Sequence, residues 1–398
     1  MDFKASQKLE NLAPYAFKEI NDRVTALKEK GITPIDFGVG DPSDPTPNFV
    51  IEALNKGAIK HAKSGYPSYI GLKEFREAAA QYMQRRFNVS LNPETEITSN
   101  IGSKEAIFNF PQAFLEQDDY VIIPSPGYPP MKTGTTFAGG KCYFTPLLEK
   151  NNFLIDFESI PKEIAEKAKI IWLNYPNSPT GAVATKEYYK KLIDWAHTHN
   201  IIIAADEGCY IDIYFDEKPL SILEVAKEGI VAFYSLSKRN NMTGYRVGFV
   251  CGDEKLISIF KRLKTNIDSG TPNFIQEAAI AALDNDTHCQ EMCASYSQKA
   301  DILLEALKQI GLETHKPKAT FYLWQKVPTG MSDIEFAKRL LSPEIGIVVT
   351  PGSLISDKCD DGINPGENYV RFALVSSIEE VKLASQLLID NQKKIALQ

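Results

Sequence analysis

Between Tyr120 and Cys251 strand-like and helical segments take turns, and that alternation narrows the folds open to the chain more than any other feature. Runs such as KIIWL (169–173) and IIIAA (201–205) are apolar at consecutive positions, not at alternate ones. A strand of that kind has both faces covered. Strands covered on both faces and separated by helices build an α/β fold, an open and mostly parallel sheet wrapped by helices. The pattern predicts strands at Tyr120–Ile123, Lys141–Phe144, Ile170–Leu173, Ile201–Ala205, Ile230–Tyr234 and Val247–Cys251. Ligands of such sheets sit beyond the carboxyl ends of the strands. There the chain carries PSPGYPP after Ile123, NYPNSPTG after Leu173 and Asp206 after Ala205, while Gly102 and Ser103 form the turn before a helix predicted over Lys104–Phe114.

Past Gln276 the pattern changes. Helices are predicted at Ile275–Ala282, Gln290–Ile310 and Ile334–Leu341, and strands at Thr320–Gln325, Ile345–Thr350 and Asn368–Val375. They read as a smaller α+β domain, completed by an amino-terminal arm with a helix over Asn11–Lys30 and a short strand over Ile35–Gly40. The expected division is an arm at residues 1–47, a large domain at 48–285 and a small domain at 286–398. The GxG in GVGDPSDPTP is no dinucleotide fingerprint, because Pro42, Pro45 and Pro47 leave no room for the helix a pyrophosphate would cap.

The stretch VAFYSLSKRNNMTGYRVGFV (231–250) carries the chemistry. It is expected to deliver Ser235, Ser237 and Lys238 into a polar loop and to return with Arg246 at the start of a second apolar run. A lysine that must lose its proton and form an imine needs a partly dry, cation-lined pocket that depresses its pKa. Hydroxyls and a guanidinium fork suit a phosphate monoester. Together they point to pyridoxal 5′-phosphate. The free N–H groups at the helix opened by Gly102, Ser103 and Lys104 would add to the phosphate seat. Asp206, coming off a buried strand, is costly unless paired, and the cofactor's pyridinium nitrogen would be its partner. Tyr128 offers a flat face for stacking on the ring. Arg371, in NYVRFALV, would be satisfied by a substrate α-carboxylate.

Totals exclude several function classes. A net charge of −7 argues against nonspecific nucleic-acid binding, which leans on basic residues. Charged residues at 24% and apolar ones at 43% fit a soluble protein. The opening MDFKASQKLENLAPY has no apolar core, and no apolar run is long enough to span a bilayer, so a cytoplasmic protein is expected. The six cysteines are scattered, as reduced thiols are. His288, Cys289 and Cys293 fall at helical spacing, but no second cluster completes a metal site. His197 and His199 ease a helix end.

These motifs are similar to those of class I pyridoxal-phosphate aminotransferases of fold type I, most of all the LL-diaminopimelate aminotransferase family. The resemblance runs nearly end to end through LAPYAFKEI, FGVGDPSDPTP, YPSYIGLKEFREA, IGSKEAI, PSPGYPPMKTGTTFAGG, LNYPNSPTGAV, SLSKRNNMTGYRVGF and KTNIDSG. It implies a seven-stranded sheet and a covalent link from Lys238 to the cofactor, with the same lysine shuttling the proton. Asp206 would pair with the ring nitrogen, and Tyr210 would hold the ring's phenolic oxygen. Gly40, Tyr15 and Arg371 would serve the substrate, and Tyr66 would reach the phosphate of the neighbouring subunit in a homodimer. Three departures stand out. Ser178 precedes Pro179 where the family has asparagine, so Asn177 or Ser178 must reach the phenolic oxygen. Asp206 and Tyr210 are spaced by four where the family has three, which makes Glu207 the alternative counterpart; burial favours Asp206. The segment SLISDKCDDGINPGENY (353–369) is longer and more acidic than usual. Within the fold, a broad aspartate or aromatic aminotransferase and a C–S lyase are the competing activities. A regulator would need a DNA-binding domain ahead of the short arm.

Overall fold

The computed structural model describes residues 3–10, 12 and 18–395. Its centre is a seven-stranded sheet formed by β2 (Ile97–Asn100), β3 (Tyr120–Ser125), β4 (Lys141–Pro146), β5 (Ala168–Leu173), β6 (Ile202–Gly208), β7 (Ile230–Ser235) and β8 (Gly248–Gly252), after a short β1 (Ile35–Asp36) that lies elsewhere. The order across the sheet is β2-β8-β7-β6-β5-β3-β4. Neighbours from β7 to β4 are parallel, and β8 runs antiparallel to both β7 and β2. Successive strand residues go to different cores. Ile171, Leu173, Ile203 and Ala205 enter one cluster, and Ile170, Trp172, Ala204 and Phe233 the other. That two-sided burial is why the strands read as continuous apolar runs.

β2 was not expected. Its sequence ITSN has no apolar run, yet all four residues are buried because β8 pairs along them, the Ile70 carbonyl takes the Ser99 N–H at 3.0 Å and helix Lys73–Phe87 packs against them. Ser235 pairs with Gly248, and Gly248 with Asn100, so the ends of β7 and β2 meet the start of β8 on one edge of the sheet.

A second core joins Ile35 and Phe37 to residues between Met292 and Ile395. Here β9 (Tyr322–Lys326), β10 (Ile347–Val348), β11 (Thr350–Pro351) and β12 (Tyr369–Ala373) form two small sheets. The strand expected over Ile345–Thr350 is split. β10 pairs in parallel with β1, whereas β11 pairs antiparallel with β12, which in turn pairs antiparallel with β9. The expected strand Ile35–Gly40 stops at Asp36, because the Asp36 carboxylate takes the Gly38 N–H at 2.7 Å and turns the chain towards the large sheet. The amino-terminal helix spans Lys18–Glu29, apart from a turn at Gln7–Glu10. No helix among the described residues is long and apolar enough to cross a membrane.

Candidate active site

Lys238 does not lie in a loop. Ser235 ends β7 and caps a four-residue helix, Leu236–Arg239, by accepting from the Ser237 N–H at 3.2 Å. The hydroxyl needed at a cap is therefore also the one that faces the site. Lys238 Nζ leaves this short helix and donates to the Gly40 carbonyl. Burial lowers its pKa against the pull of the Asp41 and Cys209 side chains, and the Arg246 and Arg371 guanidinium groups lower it further.

Arg246 is exposed and holds a left-handed backbone at φ 55°, a conformation unusual for a non-glycine residue. Its Nη1 donates to the Thr243 carbonyl at 2.8 Å and to Ser237 Oγ at 3.3 Å, and Ser237 in turn accepts from Ser235 Oγ at 2.9 Å. Against the guanidinium lies Gly102, at φ 73°, directly before helix Ser103–Asn109. A Cβ there would sit 2.2 Å from Arg246 Nη2. Only glycine permits this approach of backbone and guanidinium. Lys104 points to solvent, so its contribution is the helix N-terminus and not its amine.

Asp206 is buried within β6 rather than after it, at 3% exposure. Its Oδ1 has no hydrogen-bond partner, and burial raises its carboxyl to about 7, against an opposing contribution from Cys209. Glu207 is equally buried but fully engaged. It accepts from Ser221 Oγ, from Tyr234 Oη at 2.6 Å and from the Ile222 N–H at 3.1 Å. The extra residue between Asp206 and Tyr210 is absorbed by an irregularity of register, with Asp206 opposite Phe233 and Gly208 opposite Tyr234. Cys209 Sγ lies 3.3 Å from Ser103 Oγ. Tyr128, directly before helix Pro129–Phe137, is half-buried, and burial followed by the Cys209 and Asp206 charges raises its phenol.

Tyr210 Oη is 3.1 Å from Tyr322 Oη. Arg371, on β12, places its guanidinium carbon 4.5 Å from the centre of the Tyr322 ring and donates from Nη2 to the Gly38 carbonyl at 2.8 Å; its Nε is buried without a partner. Asn177 and Ser178 behave differently. Asn177 Oδ1 is taken by Thr180 through both Oγ1 and N–H, at 2.7 and 3.2 Å. The Ser178 N–H donates to Asn174 Oδ1 at 2.9 Å, while Asn174 Nδ2 donates to the Asp206 carbonyl at 2.7 Å. Asn174 thus ties this turn to β6, a role hidden in LNYPNSPTG, where it looks like one more turn residue. Tyr66 stands apart at 92% exposure, and Tyr15 lies outside the described residues. The sulfurs at helical spacing near His288 are engaged within the protein, Cys289 with Arg239 at 3.1 Å and Cys293 with the Asp212 carbonyl at 3.2 Å.

The groups fit the ligand read from the sequence. A buried carboxylate oxygen without a partner suits a protonated ring nitrogen. The glycine-lined turn, two serines and an exposed guanidinium suit a phosphate. A depressed lysine between two arginines suits an amine that must shed its proton.

The chain matches the family model for aminotransferase class I and II over residues 32–383. It is 45% identical over 388 residues to LL-diaminopimelate aminotransferase of Aquifex aeolicus, covering 96% of this chain and 98% of that one. It is 43% identical over 389 residues to LL-diaminopimelate aminotransferase 2 of Trichormus variabilis, covering 97% and 98%. Among solved structures, apo-BacF from Bacillus subtilis superposes with TM-score 0.90 at 34% identity, covering 98% of this chain and 99% of that one. An aspartate aminotransferase single mutant from Thermus thermophilus does so with TM-score 0.88 at 27% identity, covering 98% and 100%.

Proposed function

The chain belongs to the class I and II aminotransferases, and on that premise we propose that it interconverts tetrahydrodipicolinate plus glutamate with LL-diaminopimelate plus 2-oxoglutarate. Its cofactor is pyridoxal 5′-phosphate, which when bound accepts the electron pair left on the substrate's α-carbon once the proton there is removed. The observation that carries the assignment of roles is the unpartnered Oδ1 of Asp206 on the same sheet edge as Lys238.

Asp206 holds a proton on the ring nitrogen, and the dry surroundings that raise its carboxyl make an ion pair there strong. Tyr210 donates to the ring's phenolic oxygen, with Asn177 or Ser178 as its companion. Tyr128 stacks on the ring. Ser235, Ser237, Arg246 and the N–H groups after Gly102 bind the phosphate. Arg371 and the Gly40 backbone orient the α-carboxylate. Arg371 is anchored at Gly38, so binding does not have to order it. Lys238 Nζ, whose pKa burial lowers, takes the α-proton and returns it on the other side of the transfer.

The substrate pair follows the relatives at 41–45% identity. Turnover of LL- over meso-diaminopimelate with 2-oxoglutarate tests it. Preference for aspartate or tyrosine would replace it with a broad aminotransferase, and acceptor-free release of ammonia and pyruvate from cystathionine with a C–S lyase. The exposed Tyr66 supports a homodimer in which each subunit lends this phenol to its partner's phosphate. Light scattering checks the dimer. We place the enzyme in the cytoplasm, with residues 48–285 carrying the cofactor and residues 1–47 and 286–398 carrying the substrate arginine.

A further inference from the structure

We propose that Tyr322 is a positioning residue that fixes both the proton direction of Tyr210 and the orientation of Arg371, an inference that rests on the cofactor reading above. In the sequence TFYLW this tyrosine looks like an ordinary inward-facing strand residue. A packed ring needs no hydroxyl, yet the hydroxyl of this one is placed among functional groups. Its Oη meets Tyr210 Oη at 3.1 Å. It also occupies the space over Gly40, where a Cβ would stand 1.9 Å from the oxygen. Gly40 is the residue whose carbonyl receives the Lys238 amine.

Strand register explains the other contact. Arg371 pairs with Trp324 and Ala373 with Tyr322, so Arg371 and Tyr322 are diagonal neighbours on one face of the small sheet. The guanidinium carbon lies 4.5 Å from the ring centre, a cation held by an aromatic face. Seated there, the guanidinium spends Nη2 on Gly38 and Thr350 and keeps Nε without a partner. One side chain therefore touches the groups assigned to the cofactor's phenolic oxygen and to the substrate's carboxylate.

Either hydroxyl can donate across this contact. Two phenols at this distance share a single hydrogen, and when Tyr322 donates it, the proton of Tyr210 is left for the ring oxygen. The donated hydrogen also makes that proton a better donor, since bonds in a chain polarise one another. Two substitutions separate the two roles. Tyr322→Phe removes the oxygen and keeps the ring under Arg371. Tyr322→Leu removes both.

The test measures the pH midpoint of the bound cofactor's visible absorbance together with KM and kcat for the amino donor. Tyr322→Phe is expected to raise the midpoint by about half a unit with KM little changed, because a weaker donor at the phenolic oxygen stabilises its anionic form less. Tyr322→Leu is expected to raise KM by roughly tenfold as well, since Arg371 loses its seat. Tyr210→Phe and the Tyr210→Phe/Tyr322→Phe double variant are expected to share one midpoint, because the oxygen of Tyr322 acts only through Tyr210. A Tyr322→Phe midpoint equal to wild type, or a Tyr322→Leu variant whose KM equals that of Tyr322→Phe, overturns the proposal. A wild-type protein that shows no visible band with pyridoxal phosphate overturns the cofactor reading instead.

Discussion

Asp206 and Asp212 are carried by one stretch of chain and both are buried, but they have opposite surroundings. Asp212 accepts from Arg86 Nε at 3.0 Å, from Arg239 Nη1 at 2.7 Å and from Tyr82 Oη at 2.7 Å. Although burial pushes its carboxyl up, the two guanidinium groups hold it below the usual carboxylate range. Asp206 gains no such help from a guanidinium, and burial raises its carboxyl to about 7. Glu207, next in the chain, has donors but no cation, and burial leaves it near 7 as well. The difference separates a scaffold from a site. The Asp212 carboxylate has a donor on each oxygen without any ligand, whereas Asp206 Oδ1 and Arg371 Nε are buried without a partner.

The comparison can be broken most forcefully at Lys238. Lys238→Ala should lower kcat by about ten-thousand-fold in a steady-state assay while leaving the urea midpoint near wild type. Retained activity would sink the assignment. Asp206→Asn should cost on the order of a hundredfold in kcat and weaken cofactor binding, read by equilibrium dialysis, without lowering apoprotein stability. On the scaffold side, Asp212→Ala should lower stability by about 3–5 kcal/mol in urea unfolding, because Arg86 and Arg239 would be left buried and uncompensated. A loss below about 1 kcal/mol would mean that the network is not what holds this region.

The two regions also differ in the sign of their pH dependence. Asp212, with a depressed folded pKa, contributes stability above its unfolded value of about 4, and that contribution disappears as the pH falls through its folded value. Asp206 and Glu207 titrate near 7 when folded, so between about pH 4 and 7 the folded apoprotein binds more protons than the unfolded chain and loses stability as the pH rises. Thermal unfolding across that range should show the decline, and Asp206→Asn should flatten it. An unchanged slope in that variant contradicts the assignment of Asp206 as a titrating group. The smallest effect is expected at Tyr66. Tyr66→Phe should raise the cofactor dissociation constant roughly tenfold, the worth of one hydrogen bond to a charged oxygen. No change would remove this phenol from the phosphate site.

Several features were legible because they are local. Glycine at 102, the serines at 235 and 237, and Arg246 stand out by residue type and spacing alone, and the fold brings them together. Consecutive apolar runs announced the parallel strands. β2 was invisible because ITSN is buried by its neighbours rather than by its own composition. The helix at Leu236–Arg239 was missed because four residues are too few for periodicity, and the capping serine also reads as a loop residue. Asn174 and Tyr322 were missed because their partners, the Asp206 carbonyl and the Tyr210 hydroxyl, lie far away in the chain.

Residue chemistry and hydrophobic pattern, both encoded along the chain, determined the α/β class, the edge of the sheet that carries the chemistry and the ligand that edge would take. Which of two neighbouring acids stays unpaired was decided only by the tertiary structure. Asp206 and Glu207 are equally buried and nearly alike in charge, and what separates them is that the fold brings Ser221, Ile222 and Tyr234 to one and leaves an oxygen of the other without a donor. Hydrogen-bond satisfaction depends on groups brought together from distant parts of the chain, and a linear pattern does not record them.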